Sequence, residues 1–261
     1  MRLDAGCEIV FDVTAPTPIM LMLRPRSGNG QWIFAESYDF SQPVQVNEFV
    51  DNNGNLCQRL IAPTGRFVIT ANAKAVAAEA IDVEPGVSPT PVQDLPDYTL
   101  QFLLPSRYCQ ADFLGDLALQ IVGGAKPGYD QVEALRSWIH ENIRYQYGTS
   151  NSSTSAIDTV ETKLGVCRDF AHLGIALCRS LDIPARMVVG YLHELKPMDL
   201  HAWFEAFIGG RWYTFDATQE TARGGRITVA YGRDAADVAF ATIFGPAQLL
   251  EMKVWVELEK N

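Results

Sequence analysis

The chain has 261 residues, of which 48% are hydrophobic and 20% are charged, and its formal net charge is −10. That length can bury a full-sized core in one or two domains, whereas the acidic balance argues against nucleic acid or an anionic membrane as a partner. No apolar run approaches the roughly 18 residues of a membrane span. Acids at positions 4 and 8 interrupt the stretch where a secretion signal needs an apolar core, so we expect no export signal.

The number and spacing of the cysteines indicate the cellular compartment. The five cysteines are odd in number and widely spaced, which does not suggest a disulfide framework. The pattern is typical of mostly buried thiols in a reducing compartment, and we therefore expect a cytoplasmic protein. The five are Cys7, Cys57, Cys109, Cys167 and Cys178.

The first third of the chain consists of short β-type segments separated by turn residues. This spacing, with no helix between the segments, predicts a small antiparallel sandwich or barrel. The alanine-rich run 74–81 fits either a short helix or a continuation of the preceding strand. Prolines and a glycine at 85–92 mark a boundary, so we predict a β-rich N-terminal domain over 1–88 and a second domain over 95–261. The predicted strands cover 8–13, 18–23, 31–35, 44–50, 56–61 and 66–70, with turns at 27–30, 52–55 and 63–65.

Two helices are predicted after this boundary. The first covers about 113–121 and ends at a glycine pair, and the second begins near Asp130 and carries one apolar stripe. His140 on the second helix has no partner motif, so we interpret it as a surface or half-buried residue. The small polar loop at 149–155 either lines a cleft or is an exposed connector. The stripe consists of Val132, Leu135, Ile139 and Ile143.

A third helix is predicted within 164–181, and it places Cys167 at its first turn, two residues after Gly165. A thiol there lies close to unpaired backbone N–H groups, whose partial positive charge favours the thiolate. The same N–H groups could hold a negatively charged oxygen after the sulfur attacks a carbonyl. The helical spacing is set by Val166, Phe170, Leu173, Leu177 and Leu181.

A β-hairpin is predicted further along, because two β-rich runs at 201–208 and 211–218 are joined by a two-glycine turn. If residue 208 pairs with 211, Asp216 lies opposite Trp203 and on the same face as His201. One loop residue more or fewer would move Asp216 to the other face. Trp203 is interpreted either as core packing or as a cleft residue that shields the imidazole from water.

A cysteine at a helix start, followed by histidine and aspartate on one hairpin face, is the set needed for nucleophilic acyl transfer. A hairpin whose half-buried histidine is merely satisfied by an aspartate is the alternative. We do not expect Cys167, His172 and Cys178 to form a zinc site, because these positions do not converge on one helix face. We therefore expect neither a metal nor a cofactor.

Four motifs in the second domain closely resemble those of the bacterial transglutaminase-like superfamily. The resemblance implies an α+β fold, with a papain-like core whose cysteine helix packs on an antiparallel sheet, preceded by a small all-β domain. The range 95–261 would then be a transglutaminase-like catalytic domain. The motifs lie at 165–171, 182–191, 201–205 and 215–218, within a similarity that extends over 95–245.

Position by position, the resemblance implies that Cys167 is the nucleophile, His201 the base and Asp216 the group that orients it. Ala217 departs from the proline that is common after this aspartate, and we expect a small change of turn geometry there. The implied substrate is a protein or peptide amide. Hydrolysis is slightly favoured over transfer to an amine.

Two matters stay open at the level of sequence. The second donor to the oxyanion, beside the Cys167 backbone N–H, is not identified, and Tyr145, Gln146 and Asn151 are candidates on position alone. The competing class of function is a scaffold or partner-binding module that keeps the fold without catalysis. The intact cysteine, histidine and aspartate argue against it.

Overall fold

The structure is a computed structural model that describes residues 1–28 and 30–259. Eight strands form two four-stranded antiparallel sheets, ordered β14-β1-β6-β3 and β13-β2-β5-β4. Along the strand Gly65–Ala77, buried positions alternate with more exposed ones, as a sheet with one buried face requires. Their bounds are β1 (Arg2–Val13), β2 (Thr17–Arg24), β3 (Gln31–Phe40), β4 (Asn47–Val50), β5 (Leu56–Ala62), β6 (Gly65–Ala77), β13 (Ala241–Ile243) and β14 (Ala247–Leu258).

The predicted β-rich first third is confirmed, with a strand at each of the six predicted positions. The run at 74–81 continues β6 as far as Ala77, so the strand interpretation holds and the helix does not. The predicted turn at 27–30 includes Asn29, which lies outside the described residues, as do the last two residues of the predicted range 95–261.

The remaining part of the chain combines helices with a third antiparallel sheet, ordered β11-β10-β9-β12, and a short parallel pair, β7-β8. The predicted helices are confirmed near their expected positions. The helices are α1 (Asp97–Leu100), α2 (Gly115–Val122), α3 (Tyr129–Asn142), α4 (Ala156–Thr162) and α5 (Cys167–Arg179), with 3-10 turns at Val92–Asp94 and Ala111–Phe113. The strands are β7 (Arg144–Tyr145), β8 (Leu164–Gly165), β9 (Ala185–Leu192), β10 (His201–Ile208), β11 (Arg211–Phe215) and β12 (Arg226–Gly232).

Helix α5 packs against β10 and β9, which brings the cysteine helix onto the sheet that carries the histidine. The approach is close because Gly174 has no side chain: a Cβ there would lie 2.5 Å from the ring of Phe204 on β10. Both residues are in the core. The α+β core expected from the sequence, a cysteine helix on an antiparallel sheet after an all-β region, is the fold observed.

The hairpin register is the predicted one. Ile208 pairs with Arg211, and Phe204 pairs with Phe215. Strand β11 ends at Phe215, so Asp216 is the first residue beyond the ladder.

The last two strands return to the first part of the chain. β14 pairs along most of its length with β1, and β13 pairs with β2. The predicted division into 1–88 and 95–261 assigned these strands to the second domain, but their hydrogen-bonding partners lie in the first. The sheets of the N-terminal region are therefore built from both ends of the described chain.

Candidate active site

Cys167 is the first residue of α5, as predicted, and its side chain is half-buried. The helix start is held by Asp169, a fully buried carboxylate. One of its oxygens accepts the Val166 backbone N–H at 2.9 Å, and the other accepts the Ser150 hydroxyl at 2.9 Å. Gly165 leaves room for this carboxylate, since a Cβ there would lie 2.8 Å from that of Asp169. This role of Asp169 was not predicted from the sequence, although an acid at the third helical position is a common capping signal.

His201 and Asp216 meet at the start of β10 and just beyond the end of β11. The imidazole Nε2 lies 2.7 Å from Oδ2 of Asp216, and the two side chains are only 2% and 3% exposed. The imidazole also interacts electrostatically with the side chain of Cys167, and both residues line one cavity. Because Nε2 faces the carboxylate, Nδ1 is the nitrogen that remains for the thiol.

The Asp216 carboxylate has two further partners. Arg226 Nη2 donates to Oδ2 at 2.8 Å, and both the backbone N–H and the hydroxyl of Thr218 donate to Oδ1, at 3.1 and 2.7 Å. Burial by itself would raise the pKa of Asp216, but the charges of His201 and Arg226 outweigh it and hold that pKa well below its usual range. Asp216 is therefore an anion at neutral pH.

Burial and charge also oppose each other at His201. Burial would lower the pKa of the imidazole, but the Asp216 carboxylate, with a smaller contribution from Cys167, raises it to about 9. A protonated imidazole beside a thiol at a helix start is the arrangement that stabilises a thiolate–imidazolium pair.

Trp203 is buried beside the imidazole of His201. It is 2% exposed, its ring centroid is 6.0 Å from that of His201, and the Arg226 guanidinium lies over it at 4.8 Å. The ring is buried and also lies next to the imidazole, which is compatible with both roles considered from the sequence. Its contact with both His201 and Arg226 makes it a support for the histidine–aspartate pair.

The three candidate oxyanion donors differ in their surroundings. Tyr145 on β7 pairs with Gly165, and burial raises the pKa of its hydroxyl, which interacts with the backbone N–H of Cys167. The side-chain oxygen of Gln146 accepts a hydrogen bond from Arg144, and that of Asn151 accepts the Ser153 backbone N–H. Tyr145 is thus the candidate that the fold brings to Cys167.

Two cavities meet at the histidine. One has a volume of about 480 Å³, is lined largely by apolar side chains and includes both Cys167 and His201. The other, of about 240 Å³, is lined by Tyr145, Tyr147 and more polar groups, and it also includes His201. His201 therefore lies beside two compartments of different polarity, and Cys167 lines the more apolar one.

His172, considered above as a zinc ligand, is fully buried and accepts the Ala235 backbone N–H at Nε2, 3.1 Å away. Across residues 1–28 and 30–259, no group of three or more His, Cys, Asp or Glu side chains is arranged to hold a metal ion. Over the same residues, none of the helices has the length and apolar character needed to cross a bilayer.

Comparison with known proteins identifies relatives of this arrangement. A sequence profile described as the transglutaminase-like superfamily matches residues 115–217. The crystal structure of a protein from Cytophaga hutchinsonii, named a "putative cysteine protease", is 40% identical, has a TM-score of 0.92, and the match covers 100% of this chain and 92% of that one. The uncharacterized protein ML0607 of Mycobacterium leprae is 27% identical over 256 residues, which are 91% of this chain and 90% of its own. Rv2569c of Mycobacterium tuberculosis is 32% identical over 128 residues, covering 43% of this chain and 41% of the relative.

Proposed function

This chain belongs to the transglutaminase-like superfamily, and we propose that it is a thiol-dependent enzyme acting on amides of proteins or peptides, with Cys167 as nucleophile, His201 as base and Asp216 as the group that orients the base. The observation that carries the proposal is the 2.7 Å contact between His201 and Asp216 beside a helix-start cysteine. The name of the relative from Cytophaga hutchinsonii supports the same reaction class.

The reaction begins with transfer of the Cys167 proton to Nδ1 of His201. The imidazolium is stabilised by Asp216, whose low pKa keeps it anionic throughout. The thiolate attacks the carbonyl carbon of the amide and forms a carbon–sulfur bond, while the carbonyl electron pair moves to oxygen. Collapse of this tetrahedral intermediate breaks the carbon–nitrogen bond, and the leaving amine takes the proton from His201. A thioester on Cys167 remains.

The negative oxygen needs donors at the position it occupies in the intermediate. We propose the Cys167 backbone N–H and the Tyr145 hydroxyl, a choice supported by the pairing of Tyr145 with Gly165, two residues before the cysteine, and by the interaction of its hydroxyl with Cys167. A tyrosine hydroxyl whose pKa is raised stays protonated, and therefore stays a donor, through the working pH range.

Water is the acceptor that we propose for the thioester, which makes hydrolysis the principal reaction and amine transfer the secondary one. The polar cavity beside His201, lined by Asp199, Thr218 and Gln219, supports this order, since it can hold water within reach of the imidazole that activates it.

Selective alkylation tests the reactive cysteine. At a pH of about 6, iodoacetamide should modify Cys167 in preference to the other four thiols, because only a stabilised thiolate reacts there. Burial raises the pKa values of Cys7 and Cys57 to about 11 and of Cys109 to about 12, which makes them internal controls. The preference should disappear in His201→Ala. Slow and uniform labelling of all five thiols would instead support a non-catalytic scaffold.

The reaction itself is tested by incubation with a glutamine-containing protein, with and without a primary amine, followed by mass analysis. Hydrolysis predicts cleavage or a deamidated glutamine that depends on Cys167. An amine adduct as the main product would reverse the proposed order of acceptors. If Cys167 is alkylated normally but the mass of the glutamine-containing protein does not change, the proposed choice of substrate would be contradicted.

A further inference from the structure

The larger cavity beside Cys167 draws its wall from both parts of the molecule. Cys167, His201 and Leu200 form the side that belongs to the α+β core. Further lining comes from the N-terminal sheet, through Ile9 and Phe11 of β1 and Leu249 and Met252 of β14. Its volume, about 480 Å³, falls within the roughly 300–1,000 Å³ typical of ligand pockets.

An irregularity in the sheet helps to form this wall. Along β14, Met252 pairs with Ile9 and Leu249 pairs with Phe11. Between these two pairs β14 has one more residue than β1, because the register shifts between Val10 and Phe11. Leu249 and Met252 are three residues apart and would lie on opposite faces of a regular strand. The extra residue turns both toward the cavity, and re-aiming of this kind is a known use of bulges beside active sites.

The chemistry of the lining indicates what the cavity can hold. Leu249 and Met252 remain 48% and 37% exposed, although Ile9 and Phe11 beneath them are buried. The core contributes further apolar groups, and the polar ones, Tyr108, Ser152 and Arg168, share the lining with Cys167. The free energy of binding to a cavity with this lining is most favourable when an apolar group of the ligand displaces water from it.

We propose that this cavity is a substrate subsite that binds one large apolar side chain, of the leucine, methionine or phenylalanine class, next to the amide that Cys167 attacks. The inference rests on the proposed function. It assigns substrate selection to the N-terminal sheet, since β1 and β14 supply part of the apolar lining of the cavity that Cys167 also lines. A charged side chain at the same position would lose its hydration and find no partner among the β1 and β14 residues.

Two alkylating probes test the subsite without assuming a natural substrate. Iodoacetamide and N-hexyl iodoacetamide react with a thiolate in the same way, forming a thioether and releasing iodide, but only the second can fill an apolar cavity. We expect N-hexyl iodoacetamide to alkylate Cys167 at least tenfold faster than iodoacetamide, after both rates are divided by those for a free thiol in solution.

Two variants of one strand sharpen this experiment. Leu249→Lys puts a charge into the cavity and should reduce the preference for the hexyl probe to less than about threefold. Leu258→Lys is the matched control, because Leu258 is 55% exposed on the same strand but does not line the cavity. It should keep the full preference. Thermal unfolding of both variants establishes that they fold.

The outcomes separate the two claims. Equal normalised rates for the two probes on a reactive Cys167, or the same preference in Leu249→Lys as in Leu258→Lys, would overturn the subsite and leave the proposed function in place. Failure of iodoacetamide to select Cys167 over the other thiols would overturn the proposed function itself.

Discussion

Two histidines, His201 and His172, are buried in the protein, and their surroundings shift the imidazole pKa in opposite directions. His201 is 2% exposed and His172 is fully buried. Asp216 raises the pKa of His201 to about 9, whereas burial, together with the charges of Arg168 and Arg179, lowers that of His172 well below its usual value. Burial alone opposes a charge on an imidazole, and the sign changes only where a carboxylate is fixed against the ring. The comparison therefore separates a proposed catalytic histidine from a structural one.

Removing the carboxylate of Asp216 should have the largest effect on turnover. Asp216→Asn keeps the size of the side chain but removes the charge that favours the imidazolium, and we expect turnover to fall by about 10³- to 10⁴-fold. The labelling of Cys167 by iodoacetamide at a pH of about 6 should decrease with it. Steady-state kinetics and alkylation rates measure the two effects. Wild-type labelling of the variant would mean that Asp216 does not determine the state of the thiol.

The stability that each histidine contributes should depend on pH in opposite directions. For His201 the folded pKa, about 9, lies above the unfolded value of about 6.5, so its contribution is complete below pH 6.5 and is lost as the pH rises through 9. The loss should be about 3 kcal/mol in unfolding free energy relative to His201→Asn. Urea unfolding between pH 6 and pH 9.5 measures it.

For His172 the folded pKa is lowered, so its contribution is present above the unfolded pKa and is lost as the pH falls below it. The same titration with His172→Asn, extended to pH 5, should therefore slope the other way. Parallel slopes for the two variants would contradict the distinction between the two sites.

A smaller effect is expected for His172→Phe. The ring can still stack on Tyr108, with which His172 has a centroid distance of 4.9 Å, but the acceptor for the Ala235 N–H is lost. An unsatisfied buried donor costs about 1–3 kcal/mol of stability. Turnover should stay within a few-fold of the wild type, as measured under conditions where the variant is folded. A loss of turnover comparable to that of Asp216→Asn would assign His172 a part in the reaction.

The smallest effect is expected from Arg226→Gln. Arg226 shares Asp216 with His201, and its charge opposes protonation of the nearby imidazole. Its removal should move the basic limb of the pH–rate profile upward by less than about one unit and change turnover by less than about tenfold. A downward movement of that limb would show that Arg226 acts mainly by holding Asp216 in position.

The sequence was informative where local rules determine geometry. Gly209 and Gly210 form a two-residue turn, and this turn fixes the register that puts Asp216 on the His201 face. The position of Cys167 at a helix start followed from apolar periodicity. These features depend on residues close together in the chain.

Contacts between distant segments could not be predicted in the same way. Arg226 reaches Asp216 from β12, whose pairing with β9 contains a register shift between Thr228 and Ala230. The pairing of β14 with β1 joins residues more than 200 positions apart, and a strand pattern carries no information about its partner. The wall that β14 contributes to the cavity was missed for the same reason.

The return of the last strands also has a mechanical consequence. The segment from Ala78 to Phe240 leaves the N-terminal sheets at the end of β6 and re-enters them at β13, so two covalent tethers join the reactive core to those sheets. Two covalent attachments leave fewer relative motions open to a body than a single linker does. The position of Cys167 relative to the β1 and β14 residues that line the same cavity is thereby restrained by chain connectivity as well as by packing.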